Sequence, residues 1–386
     1  MTSIYHAINH SVRSRISRWE WTWPNYGVLE NIVIGPFDRF SRKLTMNLPC
    51  EPASHLLQHD HFEYNLNQTV GRISFIPLGD YEGKLKTISE PVIYGGPLFT
   101  HFGHFIAEST HRIWPRIVSP ELSDCKVVFV NFQKSKMASF IYDGLELKGV
   151  AKSDVLHINK PILFKKLVVP AQARQMSGAT LTKNYKYLYE EIVNDIAGES
   201  PFGNKIYLSR SRHSHTGSYF GETVVEKYLA GSGFDVIYPE DYSLKELVAI
   251  LRKSELAVFA EGSAIHALEL CGARIPHVFI IGRRPPSTKR WADLMKSISP
   301  KWKIYDRIVE NFGMSPDKKK HSAFLEIEHL LSEICDFCRI PKTEISREEI
   351  VREVRAEVEE HISQFDGEDA SVAANRLREL AQTSSR

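Results

Sequence analysis

Three clusters of side chains along the 386 residues carry types and spacings suited to chemistry. The first is His101-Phe-Gly-His104-Phe-Ile-Ala-Glu108-Ser-Thr-His111-Arg112. At about 100° per residue, a helix over 101–114 puts positions 101, 104, 108, 111 and 112 on one stripe, with Phe102, Phe105, Ile106 and Ile113 opposite. Histidine accepts a proton near neutral pH, and a neighbouring carboxylate raises its basicity. His104 and Glu108 are therefore the candidate base and its orienting partner, with Glu108 itself as the alternative base. A solvated helix face is the plain reading of the same stripe. A metal held by His101, His104 and Glu108 is a third, although the H-E-x-x-H zinc pattern is absent.

The second cluster is Tyr207-Leu-Ser-Arg210-Ser-Arg212-His213, just past a strand-like run. Arginine keeps its charge and presents planar donors matched to phosphate oxygens. The third is Ala260-Glu261-Gly262-Ser263-Ala264-Ile265-His266, joining an apolar run to a short helix through small residues. The first N–H groups of a helix favour an anion, so Gly262 and Ser263 are candidate donors to one. Glu261 would repel a diphosphate, so it is expected to face a sugar hydroxyl, a ribose or an arginine. The turn is neither G-x-G-x-x-G nor a P-loop. A fourth group, His55, His59 and His61, reads as a surface loop, with metal binding as the alternative.

The elements that must position these groups are clearest between Asn204 and about Arg307. Strands are expected at 205–209, 234–238, 256–260, 277–282 and 302–305. Helices are expected at 221–230, at 243–254 behind a Ser243/Glu246 capping box, and at 264–271. Strands alternating with helices of this length indicate a parallel sheet covered on both faces. In the first half, strands are expected at 71–76, 91–94, 126–130, 155–158 and 165–169, and helices at 101–114, 134–147 and 182–197. From Thr343 onward, apolar residues at helical spacing and a Ser346/Glu349 capping box indicate a helix, and a second short one follows to about Ala381.

Composition narrows the class. Hydrophobic residues make up 42% and charged residues 25%, which excludes collagen-like, coiled-coil and wholly disordered chains. A net charge of +2 argues against a dedicated nucleic-acid binder. Five cysteines, an odd number, fit a reducing compartment rather than a disulfide framework. The C-x-x-C pair Cys335 and Cys338 reads as ordinary helix residues, since structural zinc normally needs four ligands, with a zinc or redox role as the alternative. No signal peptide and no membrane-spanning run is expected. Arg13, Arg15 and Arg18 beside Trp19, Trp21 and Trp23 are a surface segment or, alternatively, a contact with an anionic membrane.

In their order and spacing these pieces resemble the family 61 glycosyltransferases, which include bacterial capsule and lipopolysaccharide sugar transferases and plant xylosyltransferases. The resemblance runs from about Pro91 to Gly282. It is carried by Phe102-Gly-His104-Phe-Ile-Ala-Glu108, Leu208-Ser-Arg210-Ser-Arg212, Glu222 opening a helix, Gly233-Phe234 with Pro239-Glu240 and Leu244, and Glu261-Gly-Ser-Ala-Ile-His266. Many members carry His-Gly-Ala where this chain has Glu261-Gly262-Ser263.

The resemblance implies an α/β fold of two Rossmann-like, doubly wound domains in a GT-B-like architecture, with a C-terminal helical extension. Residues 1–170 would be the acceptor side, 171–310 the nucleotide-sugar-binding domain and 311–386 the extension. The implied activity is inverting sugar transfer from a nucleotide sugar to a carbohydrate or glycolipid hydroxyl in surface polysaccharide synthesis. His104 and Glu108 would be catalytic, and Arg210, Arg212, Glu222, Glu261, Gly262, Ser263 and His266 would bind the donor. No tightly bound cofactor and no metal is expected, since the Asp-x-Asp metal pair of many other transferases is missing. The expected place is the cytoplasm, with peripheral contact at the inner membrane face as the variant. A non-catalytic binding protein of the same fold and a metal-dependent hydrolase are the alternatives.

Overall fold

The computed structural model describes residues 26–38, 43–47, 74–76, 84–131, 137–170, 172–174, 185–313, 320–364 and 370–383. His55, His59, His61 and the Arg/Trp segment at 13–23 lie outside the described residues, as do parts of the helices expected at 134–147 and 182–197 and of the strand expected at 71–76. The chain divides into two compact units. One holds Met1–Gly198, Ser243–Val248 and His266–Ala273, and the other Glu199–Tyr242, Ala249–Ile265 and Arg274–Arg386.

In the first unit the described strands are β1 (Tyr26–Asp38), β2 (Lys43–Asn47), β3 (Ser74–Ile76), β4 (Lys86–Ile88), β5 (Val92–Leu98), β6 (Lys126–Asn131), β7 (Val155–Ile158) and β8 (Ile162–Pro170). They form one sheet in the order β3-β2-β1-β8-β5-β6-β7, with β4 beside β8. Strands β5 to β8 run parallel, and β5 and β6 are near-continuous buried apolar runs, as parallel strands should be. Helices α1 (Ser139–Glu146) and α2 (Glu190–Ile196) accompany them.

The sheet is not purely parallel, as a doubly wound domain would be. Strand β1 runs antiparallel to β8 from Tyr26↔Pro170 to Ile34↔Ile162. Sequence reasoning missed β1 because its burial does not alternate cleanly and Asn31 sits at φ 52°. The period-2 signature of a half-buried strand is lost there.

The second unit is built on β9 (Lys205–Leu208), β11 (Asp235–Ile237), β12 (Leu256–Ala260), β13 (His277–Ile281) and β14 (Trp302–Tyr305), with the short β10 (Tyr219–Phe220) lying between β9 and β11 in the chain and outside this sheet. The five are all parallel, in the order β11-β9-β12-β13-β14. In chain order this is 2-1-3-4-5, a doubly wound pattern that reverses direction between β9 and β12. Ligands of such sheets bind beyond the carboxyl ends of the strands at that reversal. Helices α3 (Glu222–Gly231) and α4 (Leu244–Lys253) fall where the sequence places them, while α5 (Thr288–Ile298), between β13 and β14, was not read from it. The capping box forms as expected: Ser243 N donates to Glu246 Oε2 at 2.8 Å, and Glu246 N to Ser243 Oγ at 3.3 Å.

The chain after β14 is not helical throughout. β15 (Ile308–Phe312) and β16 (Ser322–Leu325) join β10 in a second sheet, and α6 (Ile327–Cys338), α7 (Arg347–Ser363) and α8 (Ala370–Thr383) follow. These helices share one core with the parallel sheet: Leu330, Ile334, Val354 and Leu377 cluster with Tyr207, Val258 and Phe279. Glu357 of α7 accepts from the N–H groups of Gly221 and Thr223 at 2.6 and 2.8 Å, closing the start of α3. Gly221 has φ 92°, and a Cβ there would lie 2.8 Å from Ile327 Cδ1, so this junction requires glycine. Cys335 and Cys338 are buried α6 residues, and Cys335 Sγ lies 3.0 Å from the Tyr228 hydroxyl. Among the described residues no helix is long and apolar enough to cross a membrane.

Candidate functional site

The histidine cluster follows the exit of β5. Gly95 is forced by close packing, since a Cβ there would lie 2.3 Å from the Phe129 ring, and Gly96 has φ 86°. One α-turn, Phe102–His104, then opens into a π-turn over Phe105–Ser109. Two hydroxyls fix this widening. Ser109 Oγ donates to Pro97 O at 3.0 Å, and Thr110 Oγ1 to Ile106 O at 2.8 Å. Such turns recur at functional sites.

The regular helix expected over 101–114 is therefore interrupted, and its two faces are not polar and apolar. Every residue from Phe105 to Ile117 is buried. His104 and Glu108 do meet: Nδ1 lies 2.6 Å from Oε1, with the Glu108 side chain fully buried and that of His104 32% exposed. The His101 ring lies 5.3 Å from that of His104. A carboxylate that receives Nδ1–H leaves Nε2 as the basic nitrogen, on a ring open to a substrate.

His111 and Arg112 lie beyond the helix and serve the interior. Arg112 Nη1 donates to Pro170 O at 2.7 Å. His111 is pushed down to about 4 by burial, against the pull of Glu269 and with Lys148 and Arg174 adding to the fall. Burial also lowers His101, His157 and His361. The folded state thus binds fewer protons on these rings than the unfolded chain does. The stability they contribute is complete above the ordinary histidine range, near pH 6.5, and is lost as pH falls toward 4. Thermal melts in a pH series should show Tm falling between about pH 6.5 and 4; a flat Tm across that window would contradict it.

The second cluster stands at the reversal point of the parallel sheet. Arg210 follows β9, Glu261 and Gly262 follow β12, and Arg283 and Arg284 follow β13. Arg210 lies against the Gly262 backbone: a Cβ on Gly262 would lie 2.6 Å from Arg210 Nη1. Arg210 Nη2 donates to Gly217 O at 3.2 Å, and a Cβ on Gly217 would lie 2.6 Å from Arg283 Nη1. Glu261 faces an arginine, one of its three expected partners. Its Oε1 accepts from Arg284 Nη2 at 2.9 Å and from Ser287 Oγ at 2.5 Å, and its Oε2 from Arg283 N at 2.7 Å. Burial pushes Glu261 up, but Arg284 and these donors hold it below the usual carboxylate range. Arg283 is pushed down to about 9 by burial and by its neighbours Arg284 and Arg210, despite Glu261 and Glu222. Three guanidiniums thus crowd one strand-end site, where an anion would relieve their repulsion.

The other expected donor-site residues are placed differently. Glu222 is buried and braces the Arg210 loop, accepting from Arg210 N at 2.6 Å, from Tyr207 Oη at 2.8 Å and from the Ser218 hydroxyl. Arg212 is half exposed, paired with both oxygens of Asp241 at 2.9 and 2.7 Å and stacked 3.6 Å from the Tyr238 ring centre. It is not brought to Arg210, Arg283 and Arg284. Ser263, half-buried, opens a 3₁₀ helix, Ser263–Leu270, rather than an α-helix. His266 belongs to the first unit, where it is buried and its Nδ1 lies 2.6 Å from Glu269 Oε1.

Sequence reasoning missed Arg283, Arg284 and Glu269. Two arginines directly after a buried strand were the same signal that marked Arg210. Among the described residues no group of three or more His, Cys, Asp or Glu is placed to hold a metal ion.

Residues 102–274 match the family model described as Glycosyltransferase 61. It spans His104, Glu108, Arg210, Glu261 and His266 and ends before Arg283. No curated protein matches the chain.

Proposed function

We propose that the chain is an inverting, metal-independent transferase of GT-B type that moves a sugar from a nucleotide sugar to a carbohydrate or glycolipid hydroxyl. The proposed setting is surface polysaccharide synthesis at the cytoplasmic side of a membrane. The observation that carries the donor assignment is the convergence of Arg210, Arg283 and Arg284 at the sheet reversal. Their guanidiniums, with the N–H groups of Gly262 and Ser263, take the diphosphate and the charge that grows on it as the glycosidic bond breaks.

Glu108 holds His104 Nδ1–H, and His104 Nε2 takes the proton of the acceptor hydroxyl. The acceptor oxygen bonds to the anomeric carbon from the face opposite the diphosphate, which leaves with the electron pair of the broken bond. Glu222 and Glu261 support this site by holding the Arg210 loop and Arg284 in place.

A thermal-shift series with nucleoside diphosphates tests the donor site, because a ligand that binds only the folded state raises Tm. At least one nucleoside diphosphate should raise Tm, and a chelator should leave that shift unchanged. A shift abolished by chelator and restored by Mn²⁺ would overturn the metal-independent reading, and no shift with any base would overturn the donor site.

A further inference from the structure

The helix that grips the Arg210 loop does not close its own start. Helix α3 fixes the chain after β9 with two carboxylates. Glu222, its first residue, accepts from Arg210 N at 2.6 Å and from Tyr207 Oη at 2.8 Å. Glu226, one turn on, accepts from the Ser209 and Ser211 hydroxyls at 2.5 and 2.8 Å. The place of Arg210 therefore follows from the place of the first two turns of α3. The residue before the helix is Gly221, which has no side chain to take the free N–H groups of a helix start.

Those N–H groups are taken by a residue of α7, more than a hundred positions later in the chain. Glu357 Oε2 accepts from Gly221 N at 2.6 Å, and Oε1 from Thr223 N at 2.8 Å. Each oxygen has its own donor, so the carboxylate fixes the helix start at two points. Its negative charge also lies at the positive end of the α3 dipole. Burial, with the charge of Glu222 adding, pushes the Glu357 carboxyl up to about 7 against the pull of the Thr223 and Gly221 donors, so it is ionised at pH 8. The rest of the α3–α7 junction does not need this carboxylate. Lys227 Nζ lies 3.1 Å from Glu353 Oε2, and Val224 and Val225 share one core with Val354 and Val358.

We propose that Glu357 is a positioning residue of the donor site. By closing the start of α3 it holds Glu222 and Glu226 where they grip residues 209–211, and so sets Arg210 against the Gly262 backbone for the diphosphate. Helix α7 is then a working support of the strand-end site as well as a cover for the parallel sheet. The inference rests on the donor-site reading for its ligand, and on the hydrogen bonds of Glu357 and Glu222 alone for the coupling.

The test has two readouts on the full chain at pH 8. The first needs no ligand: amide hydrogen exchange followed by NMR. Glu357→Gln keeps the shape and one acceptor oxygen, so only one of the two N–H groups stays paired. Exchange of Arg210 N–H should then speed up about tenfold more than exchange of the β12 amides, because the opening is local. An acceleration at Arg210 no greater than that in β12 would overturn the positioning role.

The second readout is isothermal titration with the nucleoside diphosphate that binds the wild type. Glu357→Gln should weaken its Kd about tenfold, with the binding stoichiometry unchanged. In an Arg210→Ala background the same substitution should weaken Kd less than about twofold, because its effect passes through Arg210. A merely structural role would lower the stoichiometry with the fraction folded and leave Kd unchanged. That result, or an equal loss of affinity in both backgrounds, would overturn the proposal. If Glu357→Gln does not fold, Glu357→Asp, one methylene short of the two N–H groups, is read in the same two ways with the same expected directions. If the wild type binds no nucleoside diphosphate, the donor-site reading fails, and hydrogen exchange still decides whether Glu357 holds Arg210.

Discussion

His104→Ala and Glu108→Gln should each fold, each bind nucleoside diphosphate as the wild type does, and each transfer sugar about 10²–10⁴-fold more slowly, the span expected for loss of a general base. Folding should survive because the segment is held by other contacts. Phe105, Ile106 and Ala107 are buried, and the π-turn is fixed by Ser109 and Thr110 rather than by the His–Glu pair. Glu108→Gln conserves shape in a fully buried position. His104 is only partly buried, so its truncation leaves a small gap. Because the two side chains act as one unit through a 2.6 Å hydrogen bond, the double variant should be little slower than the slower single one. Single-turnover and steady-state rates measure this. Strictly additive losses would mean that the two residues work separately, and near-normal rates in both would remove them from the chemistry.

Arg210→Ala should weaken nucleoside diphosphate binding by about tenfold to a hundredfold, the loss of one charge-assisted contact of about 1.5–3 kcal/mol. Arg284→Ala should act in the same direction. Stability should suffer much less than affinity in Arg210→Ala, because burial, and after it the neighbouring guanidiniums, already disfavour the charged forms of Arg210 and Arg283, and the substitution removes one of those buried charges. Arg212→Ala is the contrast. Its guanidinium is tied to Asp241 and Tyr238 at an exposed place, so diphosphate affinity should stay within about threefold of wild type. Isothermal titration of the three variants separates these outcomes. Equal losses in Arg210→Ala and Arg212→Ala would put the phosphate in the loop after β9 rather than at the sheet reversal.

The second unit was legible because its chemistry is local. Buried parallel strands are near-continuous apolar runs, and Leu256–Ala260 and His277–Ile281 read as such without tertiary information. Capping signals are legible for the same reason: the box at Ser243 forms in both directions, and at Ser346 the hydroxyl accepts from Glu349 N.

What was not legible depends on partners distant in sequence. The π-turn needs the Ser109 hydroxyl to find Pro97 O on the preceding strand, so a regular 100° periodicity misplaces His111 and Arg112. Glu269 reads as one more acidic residue of a short helix. Its meaning comes from His111, 158 residues earlier, and from Arg174. Arg212 looked equivalent to Arg210 because both follow the same strand. Only the fold shows one against Gly262 and the other against Asp241. The strands β15 and β16 hid in a stretch whose later helical periodicity was strong enough to color the whole tail.

The most direct measurement is transfer itself. Wild-type protein is incubated with a panel of nucleotide sugars and methyl glycosides in the presence of chelator, and the products are read by mass spectrometry and by NMR of the new anomeric centre. The account predicts a glycoside one sugar heavier than the acceptor, one nucleoside diphosphate released per bond formed, and an anomeric configuration opposite to that of the donor. Tight diphosphate binding with no glycoside formed from any donor would contradict it, as would a product that retains the configuration of the donor.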